Sequence, residues 1–147
     1  MFLSKEVRYG TRAMIEIAMA YSNGSISATE IARRQELSLK FLEQILRALK
    51  AAGLLKATRG IQGGYALARP PEAILLSDIF KAIEGSPCLT ECIEQPQSCS
   101  RVETCPTRDI WIEMTEKLAG VLETTTLRSL VESGQKKAQA RAPIYEI

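Results

Sequence analysis

The residues best suited to chemistry are four cysteines within eighteen positions: Cys88, Cys92, Cys99 and Cys105. The chain has no other cysteine and no histidine. Isolated cysteines are usually small buried apolar residues, whereas a cluster of them indicates a metal, an iron–sulfur cluster or a disulfide switch. Without imidazole, a bound metal must take sulfur, carboxylate or water, and thiolates favour zinc or iron–sulfur over magnesium or calcium.

The spacing of these cysteines bears on the choice between zinc and iron–sulfur. The gaps hold three, six and five residues. Structural zinc sites mostly use cysteines separated by about two to four residues, so only Cys88 and Cys92 come close, and zinc is the alternative. The wider gaps suit an irregular loop around a larger group such as an iron–sulfur cluster. Cys105 precedes Pro106 and is expected to cap a helix, which stabilises a thiolate ligand or a reactive thiol.

The composition of the chain is that of a globular protein. Its 147 residues suffice for one domain with a core and a smaller appendage, and 24% charged residues is ordinary for a globular protein. No apolar run approaches the roughly 20 residues that span a bilayer, and the first residues lack a signal-peptide pattern. We therefore expect a cytoplasmic protein without a membrane partner, where clustered cysteines bind metal or sense redox state.

The charge is unevenly distributed along the chain. Residues 33–69 hold eight Lys/Arg and two Glu, whereas residues 70–147 hold eight basic and twelve acidic residues. A basic block in a protein of net charge +2 indicates a local anionic partner, most often nucleic acid. A solvated helix face is the equally open alternative.

Apolar periodicity predicts a mainly α fold that opens with a helix capped by Ser4. The pattern S-x-x-E at 27–30 starts a second helix, and Ser38 can cap a third that ends before Gly53. Two helices joined by a short turn form a helix-turn-helix, whose second helix enters the DNA major groove. An ordinary helical hairpin would have the same polar outer face.

The third helix would present polar residues to DNA from its first turns. Gln pairs with adenine, Lys with guanine or phosphate, and an aromatic ring can touch a thymine methyl. Glu43 would repel phosphate, but it can accept from cytosine N4 and so exclude wrong sequences. The candidate DNA-binding residues of this helix are Ser38, Lys40, Phe41, Glu43, Gln44 and Arg47.

A glycine-rich tip follows the third helix. Expected strands at 54–58 and 65–67 flank the segment R-G-I-Q-G-G, whose glycines allow a tight turn. A basic β tip placed after a helix-turn-helix predicts a wing, with Arg59, Gly60 and Tyr65 at the DNA; Arg59 could enter the minor groove or clamp its phosphates. The spacing of the glycines matches neither nucleotide-binding pattern and no helix follows, so nucleotide binding is disfavoured.

We predict four parts of the chain: a winged helix-turn-helix domain at 1–85, a cysteine-rich cluster-binding loop at 86–106, a dimerisation helix with a short C-terminal helix at 107–132, and a mobile tail at 133–147. Ser77 is expected to cap the short helix before the loop. The broad apolar face of the long helix needs a partner, and helix-turn-helix proteins usually bind DNA as twofold dimers, so we expect a homodimer. That face consists of Ile110, Trp111, Met114, Leu118, Val121 and Leu122.

Taken together, these motifs resemble the Rrf2 family of bacterial transcription regulators over about residues 1–132. The segment R-G-I-Q-G-G-Y at 59–65 is similar to the family's wing, and F-L-E-Q at 41–44 is similar to its recognition helix. Leu3-Ser4 followed by R-Y-G at 8–10 looks like the family's opening. The resemblance implies a homodimeric regulator, not an enzyme, that binds a double-stranded DNA operator. It also implies a [2Fe–2S] or [4Fe–4S] cluster that senses redox state, nitric oxide, iron or cluster status.

The resemblance also implies a ligand set. The motif Cys92-x6-Cys99-x5-Cys105 is similar to the family's three cluster ligands, and the fourth ligand varies among members. The histidine that some members place three residues after the last cysteine is Arg108 here, and the acidic residue that others use near the N-terminus is Arg8. The expected substitute is Cys88, unless it is a spare thiol; the alternatives are Glu91, Glu94 or a small molecule.

Two other functional classes stay open. One is a DNA-binding regulator of the same fold that uses structural zinc or a thiol/disulfide switch. The other is an enzyme or electron carrier. Without histidine or a C-x-x-C motif no nucleophile–base pair is evident, and an electron carrier would need no wing.

Overall fold

The computed structural model describes residues 3–142, and within that range the chain forms seven α-helices and one two-stranded antiparallel sheet. This is the mainly α winged helix-turn-helix fold that the sequence predicts. Single 3-10 turns lie at Tyr21–Asn23, Pro71–Ala73 and Pro96–Ser98. The elements are α1 (Lys5–Met19), α2 (Ala28–Gln35), α3 (Leu39–Ala51), β1 (Leu55–Thr58), β2 (Gly64–Leu67), α4 (Leu76–Ile83), α5 (Glu91–Glu94), α6 (Pro106–Thr124) and α7 (Leu127–Arg141).

Three serines begin the first three helices, as predicted. The hydroxyls of Ser4, Ser27 and Ser38 accept the backbone N–H three residues later at 3.1, 3.1 and 3.2 Å. Each bond satisfies an amide that has no partner inside the helix. The turn between α2 and α3 contains Glu36 in the left-handed conformation, with φ 54°, and Leu37 N–H donates to Ala32 C=O at 2.9 Å. This turn fixes the angle of α3 against α2.

The core lies where α1 and α3 meet the sheet, α4 and the start of α7. Gly10 of α1 is buried at this crossing, and a Cβ there would collide with Ile83 of α4 and lie 3.0 Å from Ile45 Cγ2 of α3. Helix α1 therefore approaches both neighbours as closely as glycine permits. Fully buried side chains of the core include Ala13, Met14, Ile17, Leu42, Leu46, Leu49, Leu67, Ile74, Ile79 and Leu127.

The start of α4 differs from the prediction. Ser77 lies inside the helix and is buried, with 6% of its surface exposed, whereas Leu75 occupies the capping position. The Asp78 carboxylate accepts the Leu75 N–H at 2.9 Å. The acidic residue in the first turn therefore fixes the start of the helix, because it reaches back to the backbone N–H of the capping residue.

The C-terminal half is more regular than predicted. The predicted loop at 86–106 contains α5 and one 3-10 turn, and α7 continues to Arg141. The stretch Q-K-K-A-Q-A-R at 135–141 favours helix and lacks proline, which explains why part of the predicted mobile tail is helical. The rest of that tail, 143–147, lies outside the described residues. Within 3–142, no helix is long and apolar enough to cross a membrane.

Candidate DNA interface and cysteine loop

One face of α3 carries the predicted DNA-reading residues. Its opposite face holds the buried Leu42, Ile45, Leu46 and Leu49, which anchor the helix in the core. Because the helix is amphipathic, the remaining positions must face outward. Five of the six predicted residues are exposed: Ser38, Lys40, Glu43, Gln44 and Arg47.

The sixth residue, Phe41, has a different environment. It is half-buried, and its ring packs edge-to-face on Tyr9 of α1, with 6.0 Å between ring centroids and an interplanar angle of 86°. The guanidinium groups of Arg8 and Arg12 lie 5.6 and 5.3 Å from the Tyr9 ring centre. Phe41 therefore joins α3 to α1 (a packing role that the sequence analysis missed), and its contact with a thymine methyl stays a prediction.

The wing is clamped to the start of the helix-turn-helix. Tyr65 and Ile26 exchange two backbone hydrogen bonds of 3.0 and 2.8 Å, and Ser25 Oγ donates to Gln62 C=O at 3.2 Å. Gly64 packs so closely on Ile26 that a Cβ would collide with its backbone. The predicted site residue Tyr65 is half-buried and serves as this anchor, whereas Arg59 and Gly60 are exposed at the tip, where Gly60 has φ 109°.

Ion pairs divide the basic block into two groups. Arg33 and Arg34 bind Glu30 at 2.6 and 2.8 Å, which lowers the pKa of Glu30 to about 2. Arg69 lies 3.7 Å from Asp78. Among residues 3–142, the other cations of the block have no ion pair within 4.0 Å. These unpaired cations, all exposed, are Lys40, Arg47, Lys50, Lys56 and Arg59; we call them the free basic surface.

In the cysteine loop, the thiols form hydrogen bonds only with residues two positions away in the sequence. Cys88 Sγ donates to Thr90 C=O at 3.2 Å, and Thr90 Oγ1 lies 3.3 Å from Cys92 Sγ. All four cysteines are free thiols; Cys99 is exposed and the others are half-buried. Within 3–142, no three Cys, Asp or Glu residues converge on one point where a metal ion would fit.

Cys105 occupies the capping position of α6, as predicted, although its thiol makes no capping hydrogen bond. Its Sγ lies 3.2 Å from Thr107 Oγ1. The Thr107 hydroxyl lowers the pKa of Cys105, helped by the backbone N–H groups of Arg108 and Thr107 and by the charge of Arg101, against an opposing effect of burial. These donors favour a thiolate, which is the form that binds metals and reacts with electrophiles.

Arg108 stands on the first turn of α6 and reaches toward the loop. Its Nη2 donates to Cys92 C=O at 3.4 Å. Its Nε is shielded from solvent, and among the described residues it has no hydrogen-bond partner. The sequence marks this position only as the one that lacks the family's histidine; the contact with Cys92 was missed because the two residues are sixteen positions apart.

The chemistry of the donors fits an iron–sulfur cluster or zinc, since both take thiolates. The present loop conformation does not gather three of the thiols. The Nε of Arg108 lacks a hydrogen-bond partner among the described residues, and an anionic group held by the loop would supply one. The donor set therefore fits the group, and holding it requires the loop to change shape.

The first half of α6 presents an apolar strip to solvent. Exposed fractions are 52% for Ile110, 37% for Trp111 and 41% for Met114, and Val121 follows farther along at 61%. By contrast, Leu122 is 3% exposed and packs on Val7 and Phe80. Within residues 3–142, only one side of this predicted dimerisation helix is covered by other parts of the chain.

A helix-turn-helix with an attached wing and a free basic surface defines a DNA-binding protein of the winged-helix class. The chain belongs to the Rrf2 family, because the family model described as an iron-dependent transcriptional regulator matches residues 3–133. It is 40% identical to protein rrf2 of Nitratidesulfovibrio vulgaris strain Hildenborough over 131 residues, which cover 89% of this chain and 87% of that protein.

Solved structures agree with this assignment. The structure of CymR, the global cysteine regulator of Bacillus subtilis, has a TM-score of 0.78 and 35% identity, and covers 90% of this chain and 98% of that one. The structure of IscR from T. potens has a TM-score of 0.78 and 32% identity, covering 97% and 93%. The chain is thus a transcriptional regulator with a DNA-binding winged helix, and its named relatives are regulators rather than enzymes.

Proposed function

We propose that this regulator acts as a homodimer that binds a double-stranded DNA operator through α3 and the wing. We further propose that its DNA affinity responds to an iron–sulfur cluster held by the cysteine loop. The observation that carries the proposal is the free basic surface, of which Lys40 and Arg47 flank the exposed Glu43 and Gln44 on α3. Cations without internal partners supply phosphate contacts, and the neighbouring polar side chains can read base edges.

The second copy would cover the apolar strip of α6. Trp111 and its exposed neighbours lose contact with water only when another surface packs on them, and burying such side chains is the main driving force of association. A twofold dimer would place two recognition helices on adjacent major grooves, which matches how helix-turn-helix proteins bind DNA.

The proposed cluster ligands are Cys92, Cys99 and Cys105, with Cys88 as the fourth. Their free thiols and the lowered pKa of Cys105 support this assignment. When bound, the cluster would supply sensitivity to oxidants, nitric oxide or iron supply. The family's description as iron-dependent agrees with it.

A contact chain from the loop to the DNA-reading helix supports regulation. The loop follows α4 directly after Gly85, and Ile83 of α4 packs on Gly10 of α1, where Ile45 of α3 also meets it. A ligand that reshapes the loop would shift α4 and bias the position of α3. A few kcal/mol of differential stability is enough for a large change in occupancy.

The second candidate function keeps the DNA-binding role but replaces the cluster with structural zinc or a thiol/disulfide switch. It is favoured by the thiolate-stabilising environment of Cys105. A solved structure of the relative CymR from Staphylococcus aureus is described as its oxidized form, which agrees with a redox-based signal.

Metal analysis of protein purified without oxygen tests the cofactor. Visible absorbance with matched iron and sulfide would support the cluster, whereas one zinc per chain, or a metal-free protein that cannot be reconstituted, would support the second candidate. Cys88→Ser and Cys99→Ser form a matched pair. If Cys88→Ser leaves the spectrum and the stability of the cluster unchanged while Cys99→Ser abolishes it, Cys88 is a spare thiol.

The DNA-binding half is tested by salt dependence in each cofactor state. Arg59→Ala should weaken binding and reduce the slope of log affinity against log salt by about 1, because one phosphate contact is lost. Dimerisation and metal content should stay intact. Loss of folding or of the dimer would instead make the role of Arg59 structural.

A further inference from the structure

The tip of the wing carries an isoleucine that the fold leaves uncovered. Ile61 is 106% exposed, more than any other large apolar side chain in the described part of the chain. Turn tips usually hold Gly, Asn, Asp or Ser, which adopt turn conformations readily and stay hydrated. A β-branched apolar side chain here gains nothing from packing within the chain and is free to contact a partner.

The structure holds this tip in one position. Gly63 allows the turn to close, since a Cβ there would lie 2.5 Å from Thr58 C=O and 2.8 Å from Gly60 C=O. The bond from Ser25 Oγ to Gln62 C=O then ties the tip to the chain before α2. Because these contacts restrain the backbone around Ile61, the wing would lose little conformational entropy when it binds a partner.

The charge around the tip limits the chemistry of that partner. Residues 44–71 contain five Lys or Arg and no Asp or Glu. The carboxylate that lines the groove beside the tip, Glu30, is paired with Arg33 and Arg34. Arg59, two residues before Ile61, belongs to the free basic surface. The partner must therefore combine negative charge with a narrow apolar surface, and the DNA minor groove has phosphate rims with sugar faces and base edges between them.

We propose that Ile61 inserts into the minor groove beside Arg59, makes apolar contact with sugars and base edges, and makes the wing prefer A·T pairs. This inference rests on the proposed DNA-binding function. A G·C pair places the guanine amino group in the minor groove, and an isoleucine pressed against it would desolvate a donor without offering an acceptor. A·T pairs have no such group, so the apolar tip discriminates against G·C at this position.

The experiment uses the full-length protein, with and without reconstituted cofactor, and duplexes that it selects from a randomised DNA pool. Affinity is measured across a range of salt for the unmodified protein and for Ile61→Ala, Gln62→Ala and Arg59→Ala. Ile61→Ala should weaken binding about tenfold without changing the salt slope, because an apolar contact releases no counterions. Gln62→Ala, a change at the neighbouring exposed position, should have a smaller effect.

A base substitution tests the A·T preference directly. Replacing adenine by 2,6-diaminopurine at the minor-groove positions that the wing protects adds the amino group there while keeping the A·T pairing. This change should weaken the unmodified protein and have little effect on Ile61→Ala. Equal sensitivity of both proteins, or equal affinity of both for the selected duplex, would overturn the inference while leaving the DNA-binding function standing.

Two further outcomes are informative. If the unmodified protein selects no duplex in any cofactor state, the DNA-binding proposal fails and the inference fails with it. If Ile61→Ala changes the oligomeric state in sedimentation, Ile61 belongs to a protein interface and the minor-groove role is wrong. Unfolding of Ile61→Ala by urea should match that of the unmodified protein, since no packing is lost.

Discussion

The winged domain and the cysteine loop are built in opposite ways. In the winged domain, functional residues stand on helices and strands whose other faces are buried, and the wing is tied to Ile26 by two backbone hydrogen bonds. In the loop from 86 to 105 no residue is buried, and the thiol hydrogen bonds span only two positions along the chain. The DNA-reading surface of the winged domain is thus held by the core, whereas few contacts fix the shape of the loop.

The largest effect that tests this comparison is a loss of core packing. Leu46→Ala, at a fully buried position of α3, should lower the free energy of unfolding by about 2–5 kcal/mol, because it leaves a cavity. The matched change in the loop, Cys99→Ser, should alter it by no more than about 0.5 kcal/mol in metal-free protein. Urea unfolding at one protein concentration measures both, and equal losses would mean that the loop is part of the folded core.

The crossing between the two regions should be the next most sensitive point. Gly10→Ala should lower the free energy of unfolding by about 1–3 kcal/mol, because the new methyl group displaces Ile83 of α4. Gly134→Ala on α7 has open space around it and should instead stabilise the protein by about 0.4–1 kcal/mol. If Gly10→Ala leaves the free energy of unfolding unchanged and DNA affinity still responds to the cofactor, the packing of α4 on α1 does not couple the loop to α3.

A smaller effect concerns the thiols. Thr107→Val removes the hydroxyl that contributes most to the lowered pKa of Cys105, so that pKa should rise. Alkylation of Cys105 in reduced, metal-free protein should then slow at neutral pH and reach half its maximum rate at higher pH. Peptide mapping with Cys99 as the internal reference measures this; an unchanged Cys105 profile would show that the helix end alone sets its reactivity.

The smallest expected effect lies on the surface of α2. Glu30 has a folded-state pKa of about 2 because Arg33 and Arg34 donate to it, well below the usual unfolded value of about 4.3. Its stabilising contribution is therefore present above the unfolded pKa and is lost as the pH falls toward about 2. Glu30→Gln should be slightly less stable at neutral pH, and the difference should vanish in acid. A difference that grows in acid would contradict the assignment.

Local signals were sufficient for the elements of the winged domain. The serine caps, the glycine-rich tip and the helical periodicity each depend on residues a few positions apart, and the structure confirms them. The start of α4 and the length of α7 were mispredicted. In each case two local preferences competed, serine against aspartate as a cap and a polar tail against helix-forming residues.

What the sequence by itself determined is the local inventory: helix caps, wing, four clustered thiols and a basic block, with the family resemblance that they carry. Only the tertiary structure brought Glu16 to Arg34 and Asp78 to Arg69, whereas Glu30 pairs with Arg33 and Arg34 through its local spacing on α2. It also decided that Phe41 and Tyr65 hold elements together and that Gly10 joins α1 to α3 and α4. The physical reason is that burial and ion pairing depend on residues far apart in sequence, and only packing brings those residues together.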